Sequence, residues 1–340
     1  MLSLLLSFVW SFFFSMFSIP PIVRMAHKKN LFDIPNIRTI HQLLTPRLGG
    51  LAIFAAFISS VTIFGKLEYD SQRLIAGCII LFFIGLKDDI EAVSAFKKFF
   101  VQVLSTSIIL FMGDMKINSL CGFLGVYKLD EGLSYLLTAF VIIGLTNSIN
   151  LIDGLDGLAG SIVFLSSLSY TVIFFILSEF SFNSDAILAA ALCGSILGFL
   201  RYNFTKALIF MGDSGSLICG FVLSFLTIKC LNNSIIQSQK FISIPIAIMY
   251  IPVFDTLRVF LIRLFSGTSP FTPDKNHIHH VLLRFGFSQL QTVCIIVILY
   301  IIVLSIGFLL VKCDINFVLL IYTLLSIMLG IVLYFLNKKC

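Results

Sequence analysis

Eleven apolar runs recur along this chain of 340 residues, at about 3–23, 48–64, 73–86, 99–113, 133–147, 157–178, 186–201, 214–230, 241–257, 291–311 and 317–336. Crossing about 30 Å of hydrocarbon takes roughly 20 apolar residues as a helix. Only structures that satisfy their own backbone hydrogen bonds can sit there. The fold expected is therefore all-α, a polytopic membrane protein built as a bundle of ten or eleven helices, since the runs 73–86 and 99–113 are short. At 59% hydrophobic and a mean hydropathy of +1.06, the chain holds more apolar surface than a water-soluble core can hide. It reads as one integral membrane domain over 1–340, with the bilayer as partner and no nucleic-acid-binding segment.

The first run lacks basic residues before it and a small-residue cleavage site after it, so it reads as an uncleaved helix whose end Pro20 and Pro21 interrupt. The eight cysteines show no C-x-x-C spacing and read as small apolar residues.

With eleven spans the loops alternate sides, and 16 of the 23 Lys and Arg residues fall on one of them. By the positive-inside rule that side is cytoplasmic, with the N-terminus outside and the C-terminus inside. All five histidines fall there too. Carboxylates as such are not sorted, with 9 inside and 8 outside. Their company is: the inner ones stand beside Gly, Asn, His and Arg, while the outer ones sit in short, plain loops.

Five segments share the cytoplasmic face, in loops 24–47, 87–98, 148–156, 201–213 and 258–290. DIPNIRTIHQLLTPRLGG (33–50) carries Asp33, Arg38, His41, Arg47 and a glycine pair, Gly49-Gly50, that lets backbone approach something closely. On its own it is equally a basic juxtamembrane loop on anionic lipid. GLKDDIEAVSAFKKFFVQ (85–102) places Asp88 beside Asp89, with Lys97 and Lys98 able to fold back onto them. Adjacent carboxylates repel, so such a pair calls for a cation, a proton or a positive partner.

NSINLIDGLDGLAG (147–160) spaces Asn147, Asn150, Asp153 and Asp156 three apart. A helix running through 150 puts the two asparagines on one face, and Gly154 and Gly157 then break it. Amide oxygens and carboxylates are hard ligands suited to Mg²⁺; Asx capping explains one or two of the four residues. In RYNFTKALIFMGDSGSLICG (201–220), Asp213 precedes small residues that open a span, and a helix N-terminus of that kind offers N–H groups to phosphate. Phe210 alone reads as a core residue. In PVFDTLRVFLIRLFSGTSPFTPDKNHIHHVLL (252–283), Arg258 and Arg263 precede His277, His279 and His280. Three histidines suggest zinc, but His-x-His-His is awkward for three ligands on one helical face. Beside two arginines, phosphate oxygens are the better fit, since His⁺ and Arg both bind them.

Hard-cation ligands, phosphate-binding glycines and cations facing a bilayer suit Mg²⁺-dependent phosphoryl transfer between a soluble diphosphate and a membrane lipid. An ion-coupled transporter would also concentrate carboxylates, but near the bilayer midplane rather than at helix ends.

These five motifs, in this order and spacing, resemble the polyprenyl-phosphate N-acetylhexosamine-1-phosphate transferases, a glycosyltransferase family 4 group. The resemblance covers essentially the whole chain and implies the following. Asp213 and Asn150 bind Mg²⁺, or Mn²⁺ in its place, with Asp153 nearby; Asp88 and Asp89 are the catalytic pair, followed by Lys98. Asp156 and Phe210 hold and stack on uracil, while Arg263, His277, His279 and His280 close over the sugar phosphate and pyrophosphate. The substrates implied are a UDP-N-acetylhexosamine and undecaprenyl phosphate, with UMP released, at the cytoplasmic face of a bacterial inner membrane; a homodimer is the candidate assembly. HIHH resembles the branch using UDP-GlcNAc for O-antigen or teichoic-acid-type polymers. The alternative, the UDP-MurNAc-pentapeptide branch of peptidoglycan synthesis, carries three consecutive histidines, and Ile278 breaks that triplet. Lys206 stands where the family often has a proline. A lipid monophosphate, with a second pKa of about 6, is largely ionised already, so a base is not strictly required and Asp88 is either a base or a group that orients the acceptor; a two-step route through an aspartyl-phosphate is the rival mechanism.

Overall fold

The computed structural model describes residues 1–32, 45–66, 68–179, 183–204, 206–233, 236, 241–268 and 275–338. Asp33, Arg38 and His41 of the first motif lie outside them. Among the described residues each of the eleven apolar runs is a helix and there is no strand. They are α1 (Leu2–Lys29), α2 (Gly49–Phe64), α3 (Tyr69–Ile90), α4 (Ala95–Ser107, extended by a π-helical turn Ile108–Met112), α5 (Glu131–Ile152), α6 (Leu158–Leu177), α7 (Ser184–Asn203), α8 (Gly212–Leu231), α9 (Ser243–Phe265), α11 (Gln289–Leu309) and α12 (Ile315–Lys338). A short α10 (Ile278–Arg284) precedes α11. Nine of the described helices are long and apolar enough to cross a membrane, so this is a multi-pass membrane protein; α2 is apolar but has 16 residues.

Several helices outrun their apolar stretch. Helix α1 continues through Pro20 and Pro21 to Lys29 rather than ending at the prolines. The two prolines remove the helical donors to the Met16 and Phe17 carbonyls, a loss tolerable where neighbouring helices and side chains can satisfy such groups. Helix α9 extends to Phe265, so Arg258 and Arg263 stand on a helix rather than in a loop.

The chain forms two compact units. In the first, residues 1–116 and 135–229, α7 and α8 are buried nearly all round, as helices without a polar face must be. Small residues let backbones approach there. A methyl group on Gly198 would stand 2.5 Å from Phe12 O of α1, and one on Gly220 2.7 Å from Thr146 Cα of α5. The serine stripe of α1 belongs to the same seam: Ser7 Oγ meets Ser60 Oγ of α2 at 2.8 Å. In the second unit, residues 117–134 and 230–340, α9 packs on α11 and α12. There Ser243 Oγ donates to Gly307 O at 2.8 Å and the Tyr250 hydroxyl meets Ser326 Oγ at 2.8 Å.

Candidate active site

At one end of the first unit, the last turn of α3 meets the first turn of α8. Asp88 and Asp89 are neighbours, but successive helical residues point about 100° apart, and their partners differ. Asp88 Oδ2 pairs with Lys98 Nζ of α4 at 3.2 Å, and its Oδ1 accepts the Val93 N–H at 2.7 Å. Asp89 turns to α8, where its oxygens accept the Asp213 N–H at 2.7 Å, the Ser214 N–H at 3.1 Å and the Ser214 hydroxyl. The first N–H groups of any helix lack intrahelical partners; here a carboxylate from another helix caps them and complements the dipole.

Lys98 folds back to bridge the corner, its Nζ lying 2.8 Å from Asp213 Oδ2 as well as 3.2 Å from Asp88. Asn150, on the last turns of α5, donates from Nδ2 to Asp213 Oδ1 at 3.1 Å and to Ser216 Oγ at 2.8 Å. Ser216 gives its own proton to Gly212 O, so its oxygen can only accept from Asn150. Asn147 faces elsewhere: it exchanges two hydrogen bonds with the amide of Gln102 on α4, at 2.8 and 3.2 Å.

Helix α5 ends at Ile152, and Gly157, at φ 78, starts α6 from the left-handed region that favours glycine. In the intervening turn, burial and the neighbouring Asp213 and Asp89 push the Asp153 carboxyl up to about 7, against the opposing pull of Arg47. Asp156 Oδ2 accepts the Ala207 N–H at 3.0 Å, and Asn203 ties the Gly157 N–H (2.9 Å) to Ile209 O (2.9 Å). Both fasten the segment that carries Phe210 beneath the turn.

The glycine pair of the first motif approaches backbone, not open space. Gly49 N–H and Gly50 N–H donate to Phe210 O and Met211 O, each at 2.9 Å, and the Phe210 N–H donates to Pro46 O at 2.8 Å. A methyl group on Gly50 would overlap Ser214 Oγ and Gly215 N, and one on Gly85 would stand 2.5 Å from Ser214 Cα.

The second unit holds its own cluster. Asp255 of α9 pairs with His277 Nδ1 at 2.8 Å through Oδ2, while Oδ1 accepts the Ile278 N–H (2.9 Å) and Arg258 Nη2 (3.0 Å). The His279 ring stacks on His277 (centroids 5.8 Å, planes 9° apart) and lies 4.3 Å from His280. Arg263 is buried on α9. Burial, reinforced by the nearby His280 and His277, pushes His279 down to about 3; His280 is lowered by burial, His277, Lys275 and Arg284. Both shifts favour the neutral ring, and Arg258 stands beside the cluster as a guanidinium.

Among the described residues no three His, Cys, Asp or Glu side chains converge closely enough to hold a metal by themselves, so the three-histidine zinc reading has no site. Mg²⁺ asks less of a protein, one or two hard ligands besides waters and substrate phosphate. Asp213, Asn150 and Asp153 are such donors, and the repulsion felt by Asp153 is of the kind a divalent cation relieves. The set fits the ion.

Asp255, Asn203 and Gln102 carry interactions that the motifs alone did not single out, because their partners lie 22, 46 and 45 residues away. Asp255 had a signal in PVFDTLR, a lone acid inside an apolar run.

The described helices are those of a polytopic membrane protein with carboxylates and amides gathered at helix ends. The model for glycosyl transferase family 4 matches residues 72–231. The chain is 36% identical over 308 residues (87% of this chain, 82% of the relative) to the probable undecaprenyl-phosphate N-acetylglucosaminyl 1-phosphate transferase of Bacillus subtilis. It is 31% identical over 306 residues (82% and 76%) to the decaprenyl-phosphate N-acetylglucosaminephosphotransferase of Mycobacterium tuberculosis. It is 30% identical over 295 residues (84% and 77%) to the undecaprenyl-phosphate alpha-N-acetylglucosaminyl 1-phosphate transferase of Escherichia coli. The chain belongs to glycosyl transferase family 4.

Proposed function

We propose that this protein transfers N-acetylglucosamine 1-phosphate from UDP-GlcNAc to undecaprenyl phosphate and releases UMP, as the first membrane step of a cell-envelope polysaccharide of O-antigen or teichoic-acid type. The observation that carries the reading is the corner where Asp88, Lys98, Asn150 and Asp213 meet the capped N-terminus of α8. Asp213 with Asn150 and Asp153 would hold Mg²⁺, or Mn²⁺, whose charge would offset that of the diphosphate. Lys98, already between two carboxylates, supplies a movable cation for phosphate oxygens. Asp156 and Phe210 bind uracil; within its own unit the histidine loop with Arg263 is the group suited to phosphate oxygens. The site faces the cytoplasm across the inner membrane, since the Lys/Arg excess lies on that side.

Both oxygens of Asp88 and of Asp89 already accept hydrogen bonds. An ionised lipid phosphate is itself a nucleophile, which favours its direct attack on the β-phosphorus over an aspartyl-phosphate. Ile278 and the names of the relatives favour GlcNAc over the MurNAc-pentapeptide donor.

The test is a panel of UDP-sugars offered to detergent-purified protein with undecaprenyl phosphate and Mg²⁺. UMP release is expected with UDP-GlcNAc and is expected to stop on chelation. Release with UDP-MurNAc-pentapeptide alone transfers the assignment to the peptidoglycan branch, and no release with any donor overturns it.

A further inference from the structure

We propose that Asp255 is a positioning residue that fixes the tautomer of His277. Asp255 is 2% exposed and His277 6%. One carboxylate of α9 takes hold of three consecutive residues of the loop: His277 Nδ1 directly at 2.8 Å, the Ile278 N–H at 2.9 Å, and Asn276 through Arg258, whose Nη2 bonds both Asp255 Oδ1 and Asn276 O. A carboxylate held by a guanidinium and a backbone N–H is ionised and can only accept. The proton on that bond therefore belongs to His277 Nδ1. The ring plane is set a second time by the parallel stack with His279.

With Nδ1 committed, Nε2 is the atom His277 has left to offer. Any proton that turns the ring into a donor for a phosphate oxygen enters at Nε2 and nowhere else. Without the carboxylate a neutral ring can carry its proton on Nε2 instead, and the vacant Nε2 that receives a proton is lost. The use made of Nε2 rests on the proposed reaction; the tautomer does not.

The experiment is ¹⁵N NMR of the full-length protein carrying ¹⁵N-histidine, with the His277 signals assigned by their loss in H277Q. The wild type should show a protonated Nδ1 on His277. In Asp255→Asn the amide oxygen stays with Ile278 and Arg258 and its N–H₂ turns to the ring, so the proton should move to Nε2. That variant should lose on the order of 10- to 100-fold in kcat with KM for the donor much less changed. An Nε2–H tautomer in the wild type overturns the proposal without any variant. Equal loss of activity in D255N with the tautomer unmoved overturns it as well, since Asp255 would then be only structural. A protonated Nδ1 in a protein that transfers nothing upholds the tautomer and refutes the proposed reaction.

Discussion

Helices α3 and α8 are joined by charged groups at both ends, and the two ends are built differently. At the far end Lys229 of α8 pairs with Asp70 of α3, with Asp185 and Glu68 close enough to act on it and Ser184 Oγ donating to Glu68 at 3.2 Å. At the near end Asp88, Asp89, Asp153 and Asp213 stand among backbone N–H groups, an asparagine and glycines, with Lys98 shared by Asp88 and Asp213 and Arg47 acting on Asp153. Counted by carboxylates the ends look alike. The far end is a clamp in which long side chains meet each other. The near end is a surface where backbone comes within methyl distance of backbone, at Gly50 and Gly85, and where carboxylates crowd without enough positive charge. Acidity does not mark a site; glycine, asparagine and a helix N-terminus beside it do.

The comparison breaks if the ends respond alike to substitution. The largest effect is expected from Asp213→Ala, which removes the proposed cation ligand and should lower turnover by on the order of 10³-fold or more with the fold retained; UMP release and a thermal melt report both. Next comes Gly50→Ala, whose methyl group overlaps Ser214 and Gly215. Overpacking of that kind costs about 1–3 kcal/mol and displaces the segment carrying Asp213, so both melting temperature and rate should fall. Asp89→Ala removes the cap of α8, worth about 1 kcal/mol, and should slow turnover at least tenfold by loosening Asp213. At the far end Lys229→Gln should cost about 1–2 kcal/mol of stability yet leave the rate within twofold. The smallest effect belongs to Gly144→Ala on α5, where a methyl group would meet nothing within 4 Å; stability should hold or rise slightly.

The fold was largely legible because every apolar run is a helix, and apolar length is what a bilayer demands. Helix ends were less so. Hydropathy marks hydrocarbon, not hydrogen bonding, so α3 runs past its apolar stretch to Ile90 and carries Asp88 and Asp89 on its last turn. The first four motifs come together where α3 meets α8, but their sequences do not tell which side chain bonds to which. Nothing in KDD says that one carboxylate serves a lysine and the other caps a helix, because that depends on rotation about an axis and on what packs beside it. The outer acids read as plain loop residues, yet Asp70 and Lys229 meet across 159 positions of sequence on two helices. Asp255 was hidden for the same reason, its histidine standing 22 residues away.

The central claim is that the near-end corner moves a sugar phosphate onto a lipid phosphate. The most direct measurement uses UDP-GlcNAc labelled at the β-phosphorus, incubated with the protein, Mg²⁺ and undecaprenyl phosphate and then partitioned between water and organic solvent. The label should pass into the lipid phase as unlabelled UMP appears in the water in equal amount, and Asp213→Ala should abolish both. Label remaining in the water, or lipid labelling undiminished by Asp213→Ala, would contradict the account.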